Sequence, residues 1–213
     1  METQIKPDFE GAKSYILGRL EKELSQNLFY HGVHHTRDDV LLAFERLSEI
    51  EGVSEEDLLL GKTAALYHDV GYLEQYAKNE PIGVRIARET LPGFGYAPNQ
   101  IERVGEVIMA TQLQMVDGKL IQIPDKKDLL QMIMCDADLD SLGRPDFYIT
   151  GENLRREMAV MGIGYKSPAQ WFPVQLAFQE SHSYFTNAAH RLRNEGKQKN
   201  IRELLELLEG QAV

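Results

Sequence analysis

The chain of 213 residues has a single cysteine, Cys135. An internal disulfide is therefore excluded, and a reducing, cytoplasmic setting is expected. Long apolar runs are also missing. Nothing approaches the roughly 20 residues needed to cross a bilayer, and the opening "METQIKPDFEGAK" lacks the apolar stretch of a secretory leader. Basic residues are in deficit, with 23 Lys and Arg against 33 Asp and Glu and a formal net charge of -10. A nucleic-acid polymer wants a basic face for its phosphates, so that partner is not expected, and neither is a membrane. A small anionic substrate stays open, because a bound divalent cation can reverse the local field. Strand signals are scarce as well. Only "MVDGKLIQIP" reads as a hairpin-like or irregular connection.

What is present is helical periodicity. "FEGAKSYILGRLEKEL" puts Phe9, Ala12, Ile16 and Leu20 near one face, and "HTRDDVLLAFERLSEIEG" does so with Val40, Ala43, Phe44 and Leu47 before stopping at Gly52. Ser54 followed by Glu55, Glu56 and Asp57 is a strong helix start, and that helix is expected to run to about Asp69. Pro81 and Pro98 fit the first turns of two more helices. Further helices are expected in "DKKDLLQMIMCDADLDSLG", in "PDFYITGENLRREMAVMG" and from about Ser167 through Arg193. A polar gap, "NEGKQKN", then precedes a last amphipathic helix, "IRELLELLEG". No repeat or linker interrupts the pattern. The expectation is all-α, a compact helical bundle forming one domain over residues 1–213.

Four pieces carry chemistry. They are "YHGVHHTRDDV" with His31, His34 and His35, the pair His68–Asp69, "CDADLDSLGR" with Asp136, Asp138 and Asp140, and "ESHSYFT" with His182. Singly, each has a bland alternative: a helix cap, a solvated acidic end, a hydrogen-bonded histidine. Together they are harder to dismiss. His68 and Asp69 are adjacent at the end of an apolar helix, so they cannot share a helix face, and a third body reached by both explains them better than a mutual salt bridge. Asp138 shares a face with Met134, Cys135 and Leu142, whereas Asp136 and Asp140 point elsewhere. His35 lies beside the buried edge of its helix. Two imidazoles and two carboxylates turned inward, His35, His68, Asp69 and Asp138, make a mixed nitrogen and oxygen site. Such a site suits a divalent ion: manganese, iron, cobalt, nickel, zinc or magnesium. Without one, two buried carboxylates carry a large desolvation cost.

The ordered set His35, His68–Asp69 and Asp138 in a helical chain resembles the HD-domain metal-dependent phosphohydrolases. The motif core spans about residues 28–145, and the C-terminal helices, 146–213, are compatible with it. The resemblance implies that these four residues ligate one divalent metal, with Asp138 the ligand of its Asp-Ala-Asp run. "YHGVHH" is also similar to the opening motif of the cyclic-nucleotide phosphodiesterases, with Gly32 where that branch has asparagine. That similarity implies His31 as a proton donor beside the ligand His35. No histidine lies between Asp69 and Asp138, which favours a mononuclear site and counts against an oxygenase.

The function expected is a metal-dependent phosphohydrolase, with a small phosphorylated substrate, a nucleotide monoester or a cyclic or linear phosphodiester. The alternative is a non-catalytic metal- or nucleotide-binding regulatory domain. Asp69 would bridge metal and water, His31 would be the first choice of general acid and His182 the second. Arg37, Lys62, Arg144 and His182 are candidates for substrate binding, and Asp39 for holding the second ring nitrogen of His35. Pocket walls are expected from residues 72–120 and 145–185, including Tyr72, Gln112, Tyr148, Tyr165 and Trp171. A homo-oligomer is left open.

Overall fold

The computed structural model describes residues 6–210, so the outermost ends of the expected unit, 1–5 and 211–213, lie outside the described residues. Nine α-helices make up most of what is described: α1 (Phe9–Glu23), α2 (Leu41–Glu51), α3 (Glu55–Tyr67), α4 (Asn79–Thr90), α5 (Pro98–Ala110), α6 (Leu129–Asp138), α7 (Phe147–Val160), α8 (Pro168–Ser181) and α9 (Asn187–Gly210). One antiparallel hairpin, β1 (Leu113–Val116) and β2 (Lys119–Gln122), joins α5 to α6. The fold is all-α, as the periodicity requires. No helix among the described residues is long and apolar enough to cross a membrane.

Helix α3 is the axis of the fold. Ser54 caps it by accepting the Asp57 N–H at 3.1 Å, and three acidic residues sit at the positive end of its dipole. From Thr63 to Tyr67 every residue is buried, so the helix is enclosed rather than amphipathic. It packs against α1, α2, α4, α5 and α6. Phe44 of α2 lies across Gly61, where a methyl group would fall 2.0 Å from the ring. The main apolar core gathers side chains from α1 to α6 and the start of α9, and a smaller cluster of Leu142, Phe147 and Leu204 ties α7 and α9 together.

Asp117 and Gly118 have φ of 49° and 76° between paired strands. Two consecutive positive φ angles define the tight hairpin turn whose twist suits the strands, and Asp-Gly is a favoured sequence for it. Gly52 ends α2 at φ 69°, as expected of a left-handed C-terminal residue.

Three expectations are corrected. Residues His35–Val40 form a π-helical segment ahead of α2 instead of its first turns. The helix expected from Ser167 through Arg193 is two helices, broken at residues 182–186. The buried Asp136 carboxylate draws the chain out of helical register there, accepting the N–H groups of Phe185 and Thr186 at 2.8 Å each and the Thr186 hydroxyl at 2.7 Å. Thr186 Oγ1 then accepts the Ala189 N–H at 3.2 Å and opens α9. Third, the expected polar gap lies inside α9. Its polar residues are spent inward: Lys197 Nζ donates to the His182 carbonyl at 2.6 Å and Asn200 Nδ2 to that of Leu142 at 3.0 Å. Gly196 allows the helix to lie on the Gly143 carbonyl, 2.2 Å from where a methyl group would be.

Candidate metal centre

Each of the expected ligands sits at a break in helical structure. His35 opens the π-helical segment, a wide turn of the kind often found at functional sites. His68 closes α3, and Asp69 follows at φ -106°, ψ 4°. Asp138 is the last residue of α6. Gly71 does not supply an unusual φ. It removes a side chain where the backbone of α4 crosses, since a methyl group there would meet the Asn79 carbonyl oxygen at 1.9 Å. Gly83 does the same against the Tyr67 carbonyl, at 2.8 Å. The two glycines press α4 onto the His68–Asp69 corner.

The side chains converge. His35 Nε2 lies 3.3 Å from Asp138 Oδ1 and 3.6 Å from Asp69 Oδ2; His68 Nε2 lies 3.1 Å from Asp69 Oδ2 and 3.5 Å from Asp138 Oδ1. His35, His68 and Asp138 offer donor atoms all within 4.8 Å of one another and can hold a metal ion. Asp69 reaches both histidines of that group.

The donor set fits a cation by three observations. Two ligands each about 2.1 Å from a shared ion stand about 3.0 Å apart at a right angle and about 3.4 Å apart at a tetrahedral angle; two of the four separations fall in that range and the other two lie just above it. His68 Nδ1 faces the Ala65 carbonyl at 2.8 Å and must donate to it, so Nε2, turned toward Asp69 Oδ2, is the nitrogen that takes a proton or a cation. Those two atoms, His68 Nε2 and Asp69 Oδ2, are buried and without hydrogen-bond partners. A ring nitrogen and a carboxylate oxygen facing each other in a dry site need positive charge between them, from a proton or from a metal ion.

The other atoms of the carboxylates are tied down. Asn79 Nδ2 donates to Asp69 Oδ1 at 3.0 Å, and Gln122 Nε2 to Asp138 Oδ2 at 2.7 Å. Asp39 stands 3.9 Å from His35 Nδ1, beyond a hydrogen bond, with Arg144 as its firm partner. No lysine or arginine among the described residues pairs with Asp69 or Asp138. The uncompensated carboxylates act on the two imidazoles. Burial lowers the His35 imidazole, but Asp138, Asp39 and Asp69 outweigh it and raise it to about 9. His68 is raised for the same reason, burial opposed by Asp69 and Asp138. Burial raises Asp69 and Asp138, and the neighbouring imidazoles more than reverse it. The two carboxylates thus favour positive charge on the imidazoles beside them, the place a metal ion can fill instead of protons.

His31 lies beside the corner, its ring centroid 5.8 Å from that of His35. Its Nδ1 is hydrogen-bonded to Glu157 Oε1, which also accepts the Tyr76 hydroxyl at 3.0 Å. Glu157 Oε2 accepts the backbone N–H groups of Tyr30 and His31 at 2.9 and 3.0 Å. Burial raises this carboxyl, but His31 and the backbone donors hold it below its ordinary value. Glu157 is thus a fully buried anion that clamps His31, leaving Nε2 toward Tyr72 Oη at 3.3 Å.

A cavity of about 360 Å³ opens from His31 and Asp138 between α7, α8 and the hairpin. Tyr72, Tyr165 and Trp171 line it, as expected; Gln112, which bonds Glu80, and Tyr148 do not. None of the four substrate-binding candidates lines it either. Arg37 is exposed and paired with Asp38 and Glu21, Lys62 pairs with Glu45 over the Phe9 ring, and Arg144 is held by Asp39 and Asp146. His182 is packed edge-on to Tyr184 with both ring nitrogens unpartnered. Burial and the nearby Lys197 depress its pKa to about 3. Sequence reasoning missed Glu157, Asn79 and Gln122. Glu157 reads as one more charge on a surface helix, Asn79 as a loop residue and Gln122 as the end of a weak strand. The sequence matches no protein-family model and no curated protein.

Proposed function

We propose that this chain is a metal-dependent phosphohydrolase of the HD-domain type. Its substrate is a small phosphorylated molecule, a monoester such as a mononucleotide or a cyclic or linear diester, and it takes one divalent cation per chain. The observation that carries this reading is the convergence of His35, His68 and Asp138, with Asp69 reaching both histidines, beside a cavity that His31 overlooks.

A bound divalent ion supplies neutralisation of charge on the phosphoryl oxygens and acidifies water. The chain's own residues do the rest. Hydrolysis forms a bond from water oxygen to phosphorus, breaks the bond to the ester oxygen, and moves one proton off the water and one onto the leaving group. Asp69 Oδ2, buried and otherwise unpartnered, orients the water and takes its proton. Asn79 fixes that carboxylate through Oδ1. His31, carrying protons on both nitrogens, gives the one on Nε2 to the leaving oxygen, and Glu157 stabilises the imidazolium from the opposite side. A purely structural or sensory site gives no reason for a buried glutamate to hold a histidine over the cavity.

The test is metal-reconstituted protein assayed on aryl and alkyl phosphate mono- and diesters, with Asp69→Ala alongside. Turnover that needs the metal and vanishes in the variant supports the reading; undiminished turnover by Asp69→Ala, or none by the wild type with any of the six metals, removes it.

A further inference from the structure

The cavity beside the metal corner has an unusual wall for a phosphate-handling site: among the described residues no lysine or arginine lines it. Its body is apolar and aromatic, with Phe147, Leu154, Met158, Val174 and the Tyr165–Trp171 pair, whose rings lie 5.1 Å apart. Among the described residues, carboxylates meet it at the catalytic end, Asp138 directly and Glu157 behind His31. A second phosphate or a carboxylate entering this space finds no counter-charge and loses its hydration, which weakens binding. The volume of about 360 Å³ is that of roughly a dozen waters at about 30 Å³ each, at the small end of ligand sites.

Building on the phosphohydrolase reading, we propose that the organic half of the substrate occupies this cavity and is uncharged, largely apolar and about the size of one ring system. The chain then discriminates against nucleoside polyphosphates and other multiply charged esters. Specificity comes from the absence of cations in the wall as much as from the fit of its aromatic rings.

Trp171 is the only tryptophan and lines the cavity, so its fluorescence reports occupancy independently of catalysis. The experiment titrates the full chain, loaded with manganese, with 4-propylphenyl phosphate, 4-carboxyphenyl phosphate and a nucleoside triphosphate. The propyl ester is expected to bind at least about tenfold more tightly than either of the others. A tighter or equal response to the carboxyl ester or the triphosphate, or no Trp171 response to any, overturns the proposal. Leu113→Lys places a cation on the wall at a position 39% exposed, where lysine can extend to solvent without disturbing the fold. That variant should shrink the ratio to within about threefold, and an unchanged ratio counts against the proposal. Turnover of the same esters is scored separately. Discrimination without hydrolysis upholds the cavity assignment and removes the phosphohydrolase; hydrolysis without discrimination does the reverse.

Discussion

The metal corner and the cavity next to it are built by opposite means. In the corner the ligands are polar and three of the four have the other end fixed: His68 by the Ala65 carbonyl, Asp69 by Asn79, Asp138 by Gln122. Backbone runs against backbone there, with glycine at the crossing. The cavity is walled mainly by apolar and aromatic side chains, many of them from α7, α8 and the hairpin. Directional bonding in a dry site has one good arrangement and a steep penalty for missing it. Apolar walls can be recut with losses set by volume. The corner should therefore fix the reaction, and the cavity the substrate.

The largest expected effect breaks the two apart. Asp138→Ala removes a donor atom that both histidines face. It should drop bound metal, read by elemental analysis, below about a tenth of an ion per chain, and lower hydrolysis by 10³-fold or more. Trp171→Ala, a change at least as bulky, should leave metal content at the wild-type level and alter only substrate preference. Equal metal loss in both variants would abolish the division. Gly71→Ala tests the same contrast through stability. The added methyl meets the Asn79 carbonyl, which is backbone and cannot swing away, so a loss of about 3 kcal/mol in denaturant unfolding is expected. At Gly151 of α7 the methyl would meet the Gln175 side chain instead, 2.0 Å from Nε2. Gln175 can take another rotamer, so Gly151→Ala should cost about 1 kcal/mol or less.

Glu157→Gln acts where the two regions meet. The amide keeps the shape but supplies no anion to His31. A fall in kcat of about 10²-fold is expected on alkyl esters, with a much smaller fall on an activated aryl ester whose leaving oxygen needs no proton. Metal content should not change. Equal losses on both esters would remove His31 and Glu157 from proton delivery.

The corner was legible in the sequence because its residues are rare and costly. Two adjacent titratable residues behind Ala64, Ala65 and Leu66, and one aspartate on an apolar face, have few explanations without an ion. Local pattern also located the helix starts at Ser54 and Pro98, and the stretch "MVDGKLIQIP" as a hairpin-like or irregular connection. What escaped depends on partners far along the chain. Asp136 breaks a helix nearly fifty residues later, and the polar run around Lys197 and Asn200 turns inward only because carbonyls of the preceding segments await it. Glu157 sits 126 residues from the histidine it holds, so no periodicity could distinguish it from a solvated glutamate. The cavity was partly anticipated through Tyr72, Tyr165 and Trp171, but its lack of basic residues was not, since Arg37, Lys62 and Arg144 stood near the motifs in sequence and are engaged elsewhere in space.

Gln122 gives the smallest effect and the sharpest one, because the hairpin belongs to both regions. Leu113 and Leu120 face the cavity, while Gln122, opposite Leu113 in the ladder, reaches Asp138 Oδ2 and the Thr111 carbonyl. Gln122→Ala removes the bond that aims Asp138 but leaves its carboxylate in place, so metal affinity should weaken by about tenfold, the lower end for a residue that orients a ligand. If the regions are separable, binding of 4-propylphenyl phosphate at saturating metal should stay within about twofold of wild type, because the apolar wall is intact. If ligand binding at saturating metal falls in step with metal affinity, the hairpin couples the two, and the cavity is then shaped by the same bond that holds the ligand for the ion.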